Sequence, residues 1–109
     1  MKLPIDSTIA REKIKNYLLR WRPENDKSRF LGQAGYKLKE WETLAEDLRK
    51  QILPLDAHFV VLTAYGEMYE IRCGLTGPNG VLLKVVTIWM TEHATGQTKF
   101  ITLFPDKEV

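Results

Sequence analysis

The sequence predicts a single α+β domain over residues 1–109, in which two or three N-terminal helices pack on one face of a four-stranded antiparallel β-meander. Apolar residues recur at helical spacing in the N-terminal part of the chain and at strand spacing from Ala57 onward. The connections between successive strand segments are short, as in an antiparallel meander. Helices followed by strands are typical of an α+β fold, and a chain of 109 residues can build one core without disulfides.

The helical pattern predicts helices over about residues 8–21, 28–34 and 39–52. In the first of these, Ile14, Leu18 and Trp21 fall on one apolar stripe, so all three side chains are expected in the core. The second is short and closes at Gly35, a residue suited to a helix C-cap. The third ends before Pro54, which cannot continue a helix.

Strands are predicted over about residues 57–64, 68–76, 81–91 and 99–104, which are rich in Val, Ile, Thr and aromatic residues. The motif Gly77-Pro78-Asn79-Gly80 separates the second strand from the third. Pro78 fixes φ for the first corner of a type I turn, and Gly80 accepts the positive φ that follows. We therefore expect a three-residue hairpin loop, which sets the register of the two strands.

In this register the numbers of opposed residues add to a constant, so that Leu75 faces Leu83 and Tyr69 faces Trp89. Because side chains alternate along a strand, the hairpin has two different faces. One face is almost wholly apolar and is expected to meet the helices; it holds Tyr69, Ile71, Cys73, Leu75, Leu83, Val85, Thr87 and Trp89. The opposite face, here called the outer face, mixes charged and apolar side chains; it holds Met68, Glu70, Arg72, Leu82, Lys84, Val86, Ile88 and Met90.

Three interpretations of the outer face remain open. In the first, a terminus or a loop partly covers it. In the second, it contacts a protein partner or a second copy of the chain, because contiguous exposed apolar patches usually mark a contact. The interface candidates are then Val86, Ile88 and Met90. In the third, it is a catalytic face, with Glu70 as the general base and with Arg72 and Lys84 holding a phosphate.

Composition limits the classes of function. A net charge of +2 does not by itself indicate nucleic acid or an anionic membrane as a partner. Cys73 is the only cysteine, which excludes an intramolecular disulfide and a multi-cysteine zinc site. We expect no metal site and no cofactor. No apolar run approaches the ~20 residues of a membrane span, and no signal peptide is recognisable, so a cytoplasmic protein without a membrane partner is expected.

Lys27 and Arg29 are the candidates for binding an anion, because the two cations stand at a predicted helix start, where backbone N–H groups favour negative charge. The alternative is an exposed helix start with two solvated side chains. His58 and His93 lack a partner at a fixed spacing, so neither receives a role.

Several motifs follow one another along the chain. They are Tyr17-Leu18-Leu19, Lys27-Ser28-Arg29-Phe30, Gly35-Tyr36, Trp41-x-x-Leu44-x-x-x-Leu48, Tyr65-Gly66-x-x-Tyr69, Leu75-x-Gly77-Pro78-Asn79-Gly80, Val86-Thr87-x-Trp89 and Phe100-Ile101-Thr102-x-x-Pro105. In this order they resemble an uncharacterised bacterial family, a domain of unknown function of about this length. The resemblance covers nearly the whole chain.

The resemblance implies a protein that occurs alone or as the C-terminal domain of a toxin-like protein. The order of elements is similar to the barnase–EndoU–colicin–RelE group of ribonucleases, an analogy of fold and not of function. That similarity directs attention to the Lys27–Arg29 segment, Thr87 and Thr102. Neither histidine lies in the matched motifs, so a histidine acid is not implied.

Two functions follow as hypotheses. The first is a protein-interaction module, either an oligomer or one member of an operon-encoded pair. The second is a toxin-like, metal-independent ribonuclease, in which Lys27, Arg29, Glu70 and Arg72 surround the scissile phosphate.

Overall fold

The computed structural model describes residues 1–21, 23 and 27–107 and has an α+β fold. Its helical segments are a π-helix (Lys13–Leu18), α1 (Ser28–Gly32), a 3₁₀ turn (Leu38–Glu40), α2 (Trp41–Asp47) and a π-helical turn (Leu48–Ile52) that continues α2. Its strands are β1 (His58–Leu62), β2 (Gly66–Thr76), β3 (Leu82–Glu92) and β4 (Thr98–Pro105). The strands pair antiparallel in the order β1-β2-β3-β4, which confirms the predicted α+β fold.

The β2–β3 hairpin has the predicted loop and register. Gly80 has φ 86°, and its N–H donates to the Gly77 carbonyl at 3.0 Å, closing the turn. Leu75 faces Leu83 and Tyr69 faces Trp89, within an unbroken ladder from Gly66–Glu92 to Thr76–Leu82. The division of the hairpin into a helix-facing side and an outer face is therefore confirmed.

The core lies between the helices and the helix-facing side of the sheet. Trp89 is fully buried there and meets the Phe100 ring edge-on, with 5.3 Å between ring centroids. The helices contribute Ile14, Leu18, Leu31, Leu44, Leu48 and Ile52, all fully buried. Burial of this apolar surface is the main stabilising term of the fold.

The first helix is shorter than the sequence predicts. Thr8, which the periodicity placed in the helix, is extended and pairs with β4: its N–H donates to Thr98 at 2.8 Å, and the N–H of Phe100 donates to its carbonyl at 2.8 Å. The helix begins later and is of the π type, with the Leu19 N–H bonded to the Ile14 carbonyl five residues back at 3.0 Å.

Trp21 is 62% exposed, so its predicted place in the core is wrong. The stripe was extrapolated at 3.6 residues per turn, but a π-helix bonds residues five apart, and this one ends at Leu18. The side chain of Trp21 therefore leaves the stripe that buries Ile14 and Leu18.

The two edges of the sheet differ. The N-terminal segment (residues 1–8) reaches both ends of the sheet: the Ala57 N–H donates to the Met1 carbonyl at 2.7 Å just before β1, and Thr8 pairs with β4. The edge of β4 is thus paired at its first residues, from Thr98 to Phe100. Within the described residues no strand pairs with the outer edge of β1.

The Gly77–Gly80 turn packs on the end of α1. The Asn79 side-chain amide donates to the Gln33 carbonyl at 3.0 Å, and the Asn79 N–H donates to the Ala34 carbonyl at 3.3 Å. A Cβ on Gly77 would overlap the carbonyl oxygen and the Cβ of Ala34. The turn therefore joins the sheet to the helical layer.

Because of this close approach, Gly77→Ala should lower the free energy of unfolding by about 2 kcal/mol, as overpacking against backbone typically does. Denaturant unfolding measures it. Gly32→Ala is the matched control: apart from its chain neighbours and the backbone of its own helix, no atom lies within 4 Å of the added Cβ, and alanine in a helix should raise stability by up to about 1 kcal/mol. Equal stability of the Gly77 variant and the wild type would contradict the packing described.

Candidate functional site: the outer face of the sheet

The register places Glu70, Arg72 and Lys84 on the outer face. Glu70 lies opposite Ile88, Arg72 lies opposite Val86, and Lys84 lies opposite Gly74. The three candidates therefore share a face, although Lys84 is further along the sheet from Glu70 than Arg72 is. Arg72 and Lys84 are exposed, and Glu70 is half-buried.

Arg72 links two carboxylates. Its Nε donates to Glu70 Oε1 at 3.2 Å, and its Nη1 donates to Asp106 Oδ1 at 3.1 Å. The second bond joins β2 to the chain just after β4. Together with Val86, Phe104, Pro105 and Lys107, Arg72 and Asp106 line an open groove of about 490 Å³. Each ion pair is partly exposed and so adds little stability.

A cross-strand row on the outer face contains a residue that the sequence analysis left without a role. His58 of β1 lies opposite Glu70, which lies opposite Ile88, which lies opposite Thr102. Directly opposed residues share a face and have Cβ atoms about 5 Å apart. His58 and Glu70 are thus neighbours.

His58 reaches this face because of a β-bulge between Phe59 and Val61. Counting back from the Leu62–Glu67 pair without the bulge would set His58 opposite Ile71, on the helix-facing side. The extra residue, Val60, shifts the pairing by one and moves His58 beside Glu70. No feature of the sequence marks that bulge.

Lys27 meets two hydroxyl groups at the β4 edge. Its ammonium donates to Thr102 Oγ1 at 2.8 Å and to the Tyr17 hydroxyl oxygen at 3.1 Å, and it lies 4.9 Å from the centroid of the Tyr17 ring. Lys27 and Tyr17, which are 75 and 85 positions away from Thr102 in the sequence, thus both contact its hydroxyl group. Arg29, the second anion-binding candidate, is exposed on α1.

The three interface candidates differ in exposure. Val86 is only 1% exposed, because it lies between Arg72 and Phe104 in the sheet, whereas Ile88 and Met90 are half-buried. Met90 continues the apolar surface toward β1, since it lies opposite Met68.

Thr87 has a structural role. It is fully buried on the helix-facing side, where its Oγ1 donates to the Ile71 carbonyl at 3.1 Å and accepts from Trp89 Nε1 at 2.9 Å. Thr87 and Thr102, which the fold analogy brought together as positions of interest, therefore lie on opposite sides of the sheet.

Cys73 is half-buried on the helix-facing side, and burial raises the pKa of its thiol. A raised pKa disfavours the nucleophilic thiolate. This agrees with a packing role for the side chain.

A family described as a domain of unknown function, DUF6883, matches residues 5–107. The chain belongs to the DUF6883 family. This confirms the resemblance to a small domain of unknown function that the ordered motifs indicated. No curated protein and no solved structure matched the DUF6883 chain in the same comparisons.

Two further properties bear on the class of function. In residues 1–21, 23 and 27–107, no group of three or more His, Cys, Asp or Glu side chains is arranged to hold a metal ion. Over the same part of the chain, no helix combines the length and the apolar character needed to cross a membrane.

The two hydrogen bonds of the Thr87 hydroxyl group predict a loss of stability when that group is removed. Thr87→Val should lower the free energy of unfolding by about 2 kcal/mol, because it leaves the buried Trp89 indole N–H without its acceptor. Thr76→Val makes the same chemical change at an exposed position of β2 and should change stability by less than about 0.5 kcal/mol. Urea titration of both variants checks this; equal stabilities would refute the structural role.

Proposed function

We propose that this DUF6883 domain is a protein-interaction module that associates through β1. The observation that carries the proposal is the exposure of this strand. All five of its residues are exposed, including Phe59 at 58%, Val60 at 49%, Val61 at 48% and Leu62 at 61%. We call these four residues the apolar edge. A short run of large apolar side chains at this exposure is typical of a surface that another protein covers.

The apolar edge presents side chains on both faces of the sheet. Phe59 lies opposite Tyr69 on the helix-facing side and meets its ring edge-on at 6.0 Å, while Val61 lies opposite Met68 on the outer face. A partner that covers only one face would leave the other side chains in water. Strand pairing alongside β1 brings neighbours to both faces at once, which supports association edge to edge.

The backbone of β1 supports the same mode of association. An edge strand carries unpaired N–H and C=O groups, and proteins usually protect such edges with lysine, proline or a covering segment. The edge of β4 has this protection, since Thr8 pairs with it and Lys99 and Pro105 lie within the strand. In β1 only the bulge at Val60 interrupts the row of backbone groups that another strand could pair with.

The proposed occupant is a second copy of the chain. Apart from His58, β1 carries no ionisable side chain, so two antiparallel copies bring no like charges together. A two-fold interface requires a patch that is complementary to itself, and a uniformly apolar strand meets that condition. The outer-face candidates Met90 and Ile88 extend the contact through Met68.

A partner encoded in the same operon would offer a heterologous strand in place of the second copy. The free thiol of Cys73 fits a reducing compartment, which supports a cytoplasmic location for either assembly.

The oligomeric state tests the proposal. Static light scattering after gel filtration should give a dimer mass that falls toward the monomer on dilution. Val61→Lys places a charge in the apolar edge and should weaken the dimer by at least about tenfold, because an unpaired charge buried in an interface is costly.

The matched control is Val81→Lys, which introduces the same charge at a valine of similar exposure, 42%, outside the strands. It should leave the dimer unchanged. A monomer at every concentration removes the second copy as occupant. If both substitutions weakened the dimer equally, the effect would come from the added charge and not from its position. The hypothesis that β1 forms the interface would then be rejected.

A second function is supported by the row His58–Glu70–Ile88–Thr102. We propose metal-independent RNA cleavage on the outer face. Glu70 accepts the proton of a ribose 2′-hydroxyl, whose oxygen attacks the adjacent phosphorus. The bond from phosphorus to the 5′-oxygen breaks, His58 donates a proton to that oxygen, and a 2′,3′-cyclic phosphate remains.

Arg72 would stabilise the charge that develops on the phosphate, since it bonds to Glu70 and so lies beside the reacting group. Lys84 lies two pairs further along β3 from Val86, the partner of Arg72. Thr102 lies two strands away from Glu70, about 10 Å, so Lys27 would hold a neighbouring phosphate in place of the scissile one.

Cleavage of a labelled single-stranded RNA tests this function. Glu70→Gln removes the proposed base and should reduce the rate by about 100-fold or more. Glu46→Gln, an exposed residue of α2, makes the same change and should leave the rate unaltered. Absence of cleavage by the wild-type protein, together with harmless expression in a bacterial host, would reject the ribonuclease function.

A further inference from the structure

We propose that the β4 side of the domain binds single-stranded nucleic acid, with Lys13 and Lys27 holding phosphate and Trp21 stacking on a base. The site lies at the opposite edge of the sheet from the apolar edge and does not depend on self-association. It adds a substrate-binding surface to the ribonuclease function but does not depend on cleavage.

Two ammonium groups share one aromatic ring. Lys27 Nζ lies 4.9 Å from the centroid of the Tyr17 ring, and Lys13 Nζ lies 5.7 Å from it. In the part of the chain that the structure describes, no carboxylate forms an ion pair with either lysine. Cation–π contacts offset only a small part of the repulsion between like charges. The two ammonium groups lie at most 10.6 Å apart (4.9 Å plus 5.7 Å), so one polyanion can contact both.

Lys27 is also held in place. Its ammonium has three N–H donors, of which Tyr17 and Thr102 use two; among the described residues nothing uses the third, which can bind a ligand. Half-burial and two bonds from different elements restrict the side chain, which reduces the entropy lost on binding. A lysine fixed by two hydroxyl groups is a better phosphate ligand than a freely solvated one.

An exposed aromatic residue lies within reach. Trp21 is 62% exposed and follows Tyr17 by four residues, so even a fully extended chain separates the two by at most about 14 Å. Single-stranded nucleic acids bind proteins by combining basic side chains on the backbone with aromatic rings on the bases. An inorganic phosphate would use the lysines alone. The exposed indole therefore favours a nucleotide chain as the ligand.

The probe is a fluorescein-labelled oligothymidylate of about eight nucleotides, a length within the usual range of single-strand sites. It lacks the 2′-hydroxyl and cannot be cut by the mechanism above, so binding and cleavage are tested separately. Fluorescence anisotropy at low salt should show binding by the wild-type protein. The affinity should fall as salt is raised, because phosphate contacts release counterions.

Lys27→Gln should weaken binding about tenfold and reduce the slope of log K against log salt by about 0.7, the value for one lost contact on a single strand. Lys27→Arg keeps the charge and should retain most of the affinity. Lys37→Gln, an exposed lysine after α1, is the control and should change binding less than about twofold. Thermal melting verifies that each variant is folded.

Trp21→Ala should weaken binding by about fivefold or more, since stacking on an aromatic side chain contributes substantially for each base. A titration with inorganic phosphate distinguishes the two sources of the anion. Displacement of the probe by phosphate together with an unaltered Trp21→Ala affinity would replace the nucleic-acid site with a simple phosphate site. No binding by the wild type, or equal binding by wild type and Lys27→Gln, would overturn the proposal.

Discussion

The packing of the Gly77–Gly80 turn against the end of α1 is the constraint on which the rest of the structure depends. The turn closes with a positive φ at Gly80 and brings Gly77 into contact with Ala34, where no side chain fits. It thereby fixes the β2–β3 register and, in the same contact, the position of the helical layer. A slip of one residue would move Trp89 out of the core and bring Ile88 into it.

Much of the fold could be predicted because the local signals agreed with one another. The turn residues, the alternation of β2 and β3 and the apolar stripe of α2 all indicate the same sheet and the same helical layer. The prediction was wrong where the backbone departs from its regular period. Trp21 leaves the core because the preceding helix is of the π type, and Thr8 is extended because it pairs with β4, a contact 90 residues away in sequence.

The candidate site could be predicted from the sequence only in part, for a similar reason. The register of the β2–β3 hairpin was enough to predict that Glu70 and Arg72 share one face of the sheet. The position of His58 depends on the bulge at Val60, and the meeting of Lys27 with Thr102 depends on tertiary packing. Neither has a local signature. The exposure of β1 was also beyond sequence reasoning, because Phe59 to Leu62 reads as an ordinary buried strand until the extent of the helical layer is known.

The pairing of Thr8 with Thr98 and Phe100 has a consequence for how the chain folds during synthesis. Thr8 leaves the ribosome early, but its partners are made about 90 residues later. Until then Thr8 has no strand to pair with, and contacts of such long sequence separation form slowly. The nascent chain therefore passes through a period in which β1, β2 and β3 have been made while the edge of β3 still lacks β4, and it is most exposed to aggregation then.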